Sequence, residues 1–504
     1  MDSQLAKRAH PTAAGVQDKE KPCSISSGCS GQPLPSLSST ALPTKAVGAV
    51  PAPDCPARGP SGNLLDLRHG NLHHTLARLA RVHGPVMCLK LGFASAVVVS
   101  SRDAASEAFK RHDRRLAGRV VPDIAHALGF SERAIIWLPS SDPRWKSLRG
   151  ILATHVFSPR SLAAARGVRE RKVRDLVSYF RARAGQEVPV AQAVYGAVLN
   201  LMSSIFLSVD VTDMDAGESV RELLKDLVTS AGKPNVSYLF PFLRPFDLQG
   251  WRRWTAMKLG KFYRFLDDMI DRRLAEEEDS SSSRDTDKLH GDLLDVLLQL
   301  VSTGRLARGD ITSLLFEVFA SATDSTVVTV EWTMAELLRN PSAMAMVRAE
   351  IKGALGSKET EAMRLHPVGP LMMPHKAMDD DVEIGGYPVP KGCAVMFNTW
   401  AIMRDPAAWE RLNEFLPERF MDRGEVEFKG KEIEFIPFGS GLRLCPAQPM
   451  AERLVPLIVA SLLHAFEWHL PNGLSPEELD LSERFNHINV PAAPLKAVPS
   501  VITY

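Results

Sequence analysis

Neither sign of charge dominates this chain: 60 Lys and Arg stand against 59 Asp and Glu in 504 residues, a formal charge of +1. No polybasic face is written into the composition, so a nucleic-acid binder is not expected. Cysteine is scarce. The six, at 23, 29, 55, 88, 393 and 445, show no metal-finger spacing and are too few for a disulfide framework, which fits a reducing compartment. Long apolar runs are missing as well. Residues 1–60 hold no stretch of about 20 apolar residues, the length a membrane-crossing helix needs. Ala191 to Val209 is uncharged but carries Asn200 and several serines, and is expected to be a buried core helix.

With 45% hydrophobic and 24% charged residues the composition is that of an ordinary folded protein, and length alone allows two or three domains. Residues 1–60 are rich in Ser, Pro, Ala and Gly without hydrophobic periodicity, and are expected to be disordered or an atypical leader. Lys7, Arg8 and the serines suit a transit peptide, whereas Asp2, Asp18 and Glu20 do not. Asn71 to Ala80 has Leu72, Leu76 and Leu79 on one helical face; Val86 to Leu91 and Ala96 to Ser100 follow as a strand pair, and Arg102 to Phe109 as a helix. Asp142-Pro143 starts another helix. Glu276 to Asp279 with the serines after it is expected to be an exposed loop. Asp310 is expected to cap a long helix that stops before Asn340-Pro341. Val382 to Val389 and Ala394 to Asn398 are expected strands, and Trp400 to Trp409 a helix.

The densest signal is Phe435 to Arg453, where Gly439, Ser440 and Gly441 precede Cys445 and an apolar helical pattern. A cysteine at a helix start meets unpaired N–H groups that favour thiolate, and Pro446 suits the first helical turn. Small residues upstream let the backbone approach something large and flat, and Arg443 adds a cation. That set suits a thiolate iron ligand beneath a porphyrin. The same pattern also fits an inert buried cysteine at a glycine-rich turn.

Phe438, Gly441, Arg443, Cys445 and Ala447, read as F-x-x-G-x-R-x-C-x-A, resemble the haem-binding signature of the cytochrome P-450 family, which usually has Gly at the place of Ala447. Three further motifs in order strengthen the resemblance. Glu361 and Arg364, with Arg419 in Pro417-Glu418-Arg419-Phe420, resemble the family's Glu/Arg/Arg structural network. Trp145 and Arg149 match W-x-x-x-R, whose members reach a haem propionate. Ala322, Asp324 and Ser325, ahead of Thr329-Val330-Glu331-Trp332, resemble the small residue, acid and alcohol of the helix crossing the distal haem face. Dioxygen must receive two protons before its O–O bond breaks, which calls for an acid and an alcohol there. Ser325, where the family more often has Thr, keeps the hydroxyl without the methyl that fixes its rotamer.

The resemblance is continuous from Ser61 to Tyr504 and implies a mainly α fold with a small β-rich lobe, with haem b between a long central helix and the proximal Cys loop. It implies a monooxygenase fed with electrons by an NADPH-cytochrome P-450 reductase, monomeric, at the cytosolic face of the endoplasmic reticulum membrane. Met372 to Ala377 and Cys445 to Ala451 resemble the plant microsomal subfamily of geraniol 8-hydroxylase and the cereal diterpene hydroxylases. A terpenoid substrate is implied, facing Phe319, Ala320, Val368, Gly369, Leu371 and Ile488, with a last β-turn at Asn486 to Val490 reaching the cavity. His375 stands where most relatives have a propionate-binding Arg. The chain departs most between about 356 and 361, where the family has another helix and a long connection, so the helix holding Glu361 is expected to be very short. Two rivals follow: a haem-thiolate isomerase or dehydratase, against which Asp324 and Ser325 argue, and an inactive, haem-poor binding protein.

Overall fold

Helix Leu72–His83 forms where the leucines repeat at helical spacing, and it closes at Gly84, whose φ of +99° disfavours any residue with a Cβ. The structure is a computed structural model describing residues 62–64, 66–68, 70–211, 220–282, 291–350, 358–420 and 430–503. The expected leader lies outside them, as do Gly356 and Ser357 of the shortened region. The helix buries Leu76 on Met87, Leu89 and Val98 of the first two strands.

Those strands, Val86–Leu91 and Ala94–Val99, pair antiparallel and open a five-stranded sheet. Ala94–Val99 then runs parallel to Ala394–Phe397, which pairs antiparallel with His375–Lys376, and that strand with Gly118–Arg119. In this register Arg119 stands directly opposite His375. Helix Arg102–Leu116 starts where Ser101 accepts the Ala104 N–H, and lays Ala105, Ala108 and Phe109 on a second apolar cluster with Val99, Val395 and Phe397. It outruns the expected end at Phe109, since no Gly or Pro interrupts it. The sheet and its helix are the small β-rich lobe.

The larger, helical part surrounds helix Arg308–Arg339, 32 residues with neither Gly nor Pro after Gly309. It is apolar on most of its circumference because Val190–Leu207, Trp251–Ser282, Gln448–Ala465 and Lys358–Leu365 all pack on it. Asp310 acts as its third residue rather than as its cap, its carboxylate accepting the Ala307 N–H at 3.0 Å. Val190–Leu207 is the expected core helix, its side chains buried through nearly its whole length. Asp142 caps Pro143–His155, the helix that carries Trp145 and Arg149.

Two connections differ from the sequence pattern. Glu276 to Asp279 continue helix Trp251–Ser282 instead of looping out, as Glu is a strong helix former and nothing there breaks the backbone ladder. Trp400 to Trp409 holds a single turn, Thr399–Ile402, because Pro406 biases Asp405 away from helical geometry. A hairpin of Glu483–Phe485 and Asn489–Pro491 brings residues 486–488 back toward the central helix.

Candidate functional site

Helix Lys358–Leu365 is only eight residues long and would not persist alone. Packing and charge hold it. Glu361 and Arg364 are fully buried, and Arg364 donates Nε–H and Nη2–H to the two Glu361 oxygens at 2.8 and 2.7 Å. Arg419 Nε and the Leu416 N–H each reach Glu361 Oε1 at 3.2 Å, while Arg364 Nη1 donates to the Leu412 and Met403 carbonyls. The Glu361–Arg364 pair thus ties the short helix to Met403, Leu412, Leu416 and Arg419, and all three expected network residues meet in it.

The Cys loop is a tight turn: the Cys445 N–H donates to Phe438 O at 3.0 Å and Leu444 N–H to Gly441 O at 3.0 Å. Gly441 is required there. Its φ is +68°, and a Cβ would stand 2.2 Å from Asp113 Oδ1, which also accepts the Leu442 N–H at 3.0 Å. Helix Gln448–Ala465 begins three residues beyond Cys445, so Pro449 rather than Pro446 occupies its first turn. The expected preference for thiolate is also corrected. Burial pushes the Cys445 thiol up, outweighing the Ala447 and Gln448 N–H groups and the Arg149 charge that pull it down. A bound metal would have to complete the deprotonation.

Beside this loop the structure gathers cations. Arg443 donates to the carbonyls of Ala117, Ile135 and Leu138, and lies 5.0 Å from the Trp145 ring centroid; Arg149 lies 5.2 Å from the same ring and donates to Leu444 O at 2.9 Å. Sequence reasoning missed Arg119. It is half-buried, with Nη1 on Met373 O and a buried Nε that has no partner among the described residues. Burial, then the charges of Arg443 and Arg149, pulls it down to about 9. Burial and Arg149 likewise bring Arg443 to about 10. His375, expected in place of an arginine, has its pKa pulled down to about 3 by burial and Arg119 and is hence neutral, with Nδ1 2.8 Å from Leu116 O. Its strand partner supplies the guanidinium it lacks. A lone Arg in Leu116-Ala117-Gly118-Arg119 carries no motif; only the register with His375 reveals it.

Glu317 faces this group from the central helix. It accepts the Ile135 and Ile136 N–H groups, each at 2.7 Å, yet burial pushes it up to about 7. Residues 135–138 are thereby gripped from both sides, N–H groups by Glu317 and carbonyls by Arg443. Among the described residues, three guanidiniums with one carboxyl whose pKa burial raises, around a buried Trp145 Nε1 that has no partner, leave cationic charge and a donor unanswered. Two carboxylates of a haem would answer both, and a nearby thiol suits its iron.

On the central helix, Ser325 Oγ donates to Ser321 O at 2.8 Å and Thr326 Oγ1 to Ala322 O at 2.9 Å. Asp324 Oδ2 lies 3.5 Å from His487 Nε2. Of the expected cavity residues, Ala320, Val368, Gly369, Leu371 and Ile488 are half-buried. Phe319 differs. It is fully buried between neighbouring helices, edge-on to Phe206 and near Phe262, and serves packing. Phe438 and Ala447 are half-buried, each against an apolar cluster.

A family model described as Cytochrome P450 matches residues 53–495. The chain belongs to the cytochrome P450 family. This cytochrome P450 is 59% identical over 458 residues to Cytochrome P450 76M5 of Oryza sativa subsp. japonica, covering 88% of the chain and 90% of the relative. It is 51% identical to Ent-cassadiene C11-alpha-hydroxylase 1 of the same organism, covering 90% and 94%. It is 36% identical to Geraniol 8-hydroxylase of Catharanthus roseus, covering 85% and 90%. These place it in the expected plant subfamily. A zebra fish cytochrome P450 solved with progesterone superposes with a TM-score of 0.70 at 23% identity, over 86% of this chain and 100% of that one, which shows the fold. The protein is accordingly a haem monooxygenase that draws electrons from NADPH through a reductase and acts on a lipophilic substrate.

Proposed function

We propose that this cytochrome P450 hydroxylates a terpenoid, with Cys445 as the iron ligand and Asp324 and Ser325 as the distal proton relay. The observation that carries the substrate class is the 51% identity, over 94% of its length, to a relative named for hydroxylating ent-cassadiene. Half-buried Ala320, Val368, Leu371 and Ile488 supply the apolar or small surface such a substrate needs. Trp145, Arg149, Arg443, Arg119 and neutral His375 would hold the haem propionates. When bound, the thiolate-ligated haem supplies dioxygen activation, and the protein's part is to orient substrate, exclude bulk water and deliver protons. Asp324 passes protons inward, and the Ser325 hydroxyl, able to donate and accept, hands them on. Glu361, Arg364 and Arg419 fix the wall behind the Cys loop. That closed network in so short a helix weighs against the haem-poor reading.

Residues 61–504 form the catalytic domain, working as a monomer at the cytosolic face of the endoplasmic reticulum. Phe93, Phe242, Phe246 and Leu248 support that location: each is more than half exposed, and Phe93 meets Phe240 and Phe242 edge-on in one apolar patch. The test is the full chain with a plant reductase, NADPH, and ent-cassadiene or geraniol as probes. A hydroxylated product carrying one oxygen atom from dioxygen is expected. A normal reduced carbon monoxide spectrum with no oxygenated product from either probe would refute the terpenoid assignment.

A further inference from the structure

Among the described residues, His487 is a polar group near the proposed relay that the mechanism leaves unused. It sits at the turn of the hairpin Glu483–Phe485 and Asn489–Pro491, next to Ile488. Its side chain is 16% exposed, that of Asp324 15%, and Nε2 and Oδ2 are 3.5 Å apart. Neither ring nitrogen has a hydrogen-bond partner. The contact is thus a close polar approach of imidazole to carboxylate rather than an aligned hydrogen bond.

The turn itself is fixed from three directions. Trp332 Nε1 donates to Asn489 O at 3.0 Å, about two turns along the central helix from Asp324, and the Asn489 N–H donates to Val368 O at 2.9 Å. Gly232 presses on the Asn486–His487 peptide so closely that a Cβ there would lie 2.6 Å from it. His487 therefore cannot drift away from Asp324 without moving Ile488. On the buried side, Tyr195 has a hydroxyl without a partner among the described residues, and after burial the charge of Asp324 is the main cause raising its pKa. Arg221 covers that ring at 5.1 Å.

We infer that His487 is the positioning residue for Asp324: the imidazole holds the carboxylate toward the substrate-facing turn, so that turn and proton relay move as one unit. This rests on the reading of Asp324 as the relay acid. Its consequence is that a ligand displacing Ile488 changes the setting of the acid, so proton delivery responds to occupancy of the apolar wall rather than running continuously.

The experiment uses the haem-loaded full chain as isolated, His487→Leu, Asp324→Asn and the double variant, with His487→Gln as the conservative control. The first readout is the solvent deuterium isotope effect on reductase-driven NADPH oxidation, which needs no known substrate. The second needs no turnover: the Soret-monitored melting temperature of the ferric protein. His487→Leu is expected to raise the isotope effect about two-fold and Asp324→Asn at least as much, with the double variant no worse than Asp324→Asn alone. Melting temperatures are expected to fall less than additively, and His487→Gln, which retains an N–H donor, to restore most of both readouts. A raised isotope effect in Asp324→Asn with none in His487→Leu overturns the pairing and leaves the relay intact. No change in Asp324→Asn overturns the relay. Additive losses in both readouts show two independent residues and also overturn the proposal.

Discussion

Removing the Glu361 carboxylate tests what holds the wall behind the Cys loop. Glu361→Ala leaves Arg364, with no exposed surface, without either oxygen it now meets at 2.7 and 2.8 Å, and takes from Arg419 its contact at 3.2 Å. The Met403 and Leu412 carbonyls remain for Arg364, so its hydrogen bonding is partly kept while its charge is not. Breaking one side of a buried pair costs roughly 3–5 kcal/mol, far more than the pair contributes relative to an apolar replacement. For a chain of this size that is a fall of roughly 3–5 °C in melting temperature. The assay is thermal unfolding of the ferric protein followed at the Soret band, with Glu361→Gln beside it as a same-shape substitution. Glu414→Gln, which breaks the solvent-exposed Arg411–Glu414 pair, is the control and should leave melting unchanged. A Glu361→Ala protein within about 1 kcal/mol of the parent would refute the assignment of the network as the short helix's main support.

Cys445→Ser should keep the fold but abolish the red-shifted reduced carbon monoxide band, since an alkoxide does not replace a thiolate at iron; a normal band would remove Cys445 from the metal. Arg119→Gln should speed haem transfer to apomyoglobin several-fold, because one of three guanidiniums near the propionates is lost; unchanged transfer would place Arg119 outside the site. Glu317, raised to about 7 in the folded protein, binds more protons folded than unfolded. Its contribution to stability is therefore fullest below the unfolded value and falls by up to about 3 kcal/mol as pH rises from about 4.5 to about 7. Glu331, also raised to about 7, slopes the same way, so Glu317→Gln should flatten part of the loss. Melting curves across that range would show it, and an unaltered slope would contradict the burial of Glu317.

The fold was legible where residues repeat with a period or punctuate the chain. Leu72, Leu76 and Leu79 marked a helix, Asp142-Pro143 the start of another, and the Glu361, Arg364 and Arg419 spacing announced a network that the structure closes. Arg119 was not legible, for its value comes from lying across a strand register from His375, a pairing 256 positions distant in sequence. His487 met Asp324 for the same reason, through a hairpin returning late in the chain. The helix through Glu276 to Asp279 was misjudged because an acidic run suits a solvated helix as well as a loop. Phe319 occupies a helix-to-helix contact, and spacing along one helix cannot say which neighbour covers a given face.

Residues 135–138 belong to two masters. The amide hydrogens of Ile135 and Ile136 answer to the central helix and the carbonyls of Ile135 and Leu138 to the arginine of the Cys loop, so neither of those elements is fully seated while the other is undone. Ceiling and floor would then be built in a single cooperative event. An apoprotein caught before it should be found missing both, with no half-finished pocket along the way.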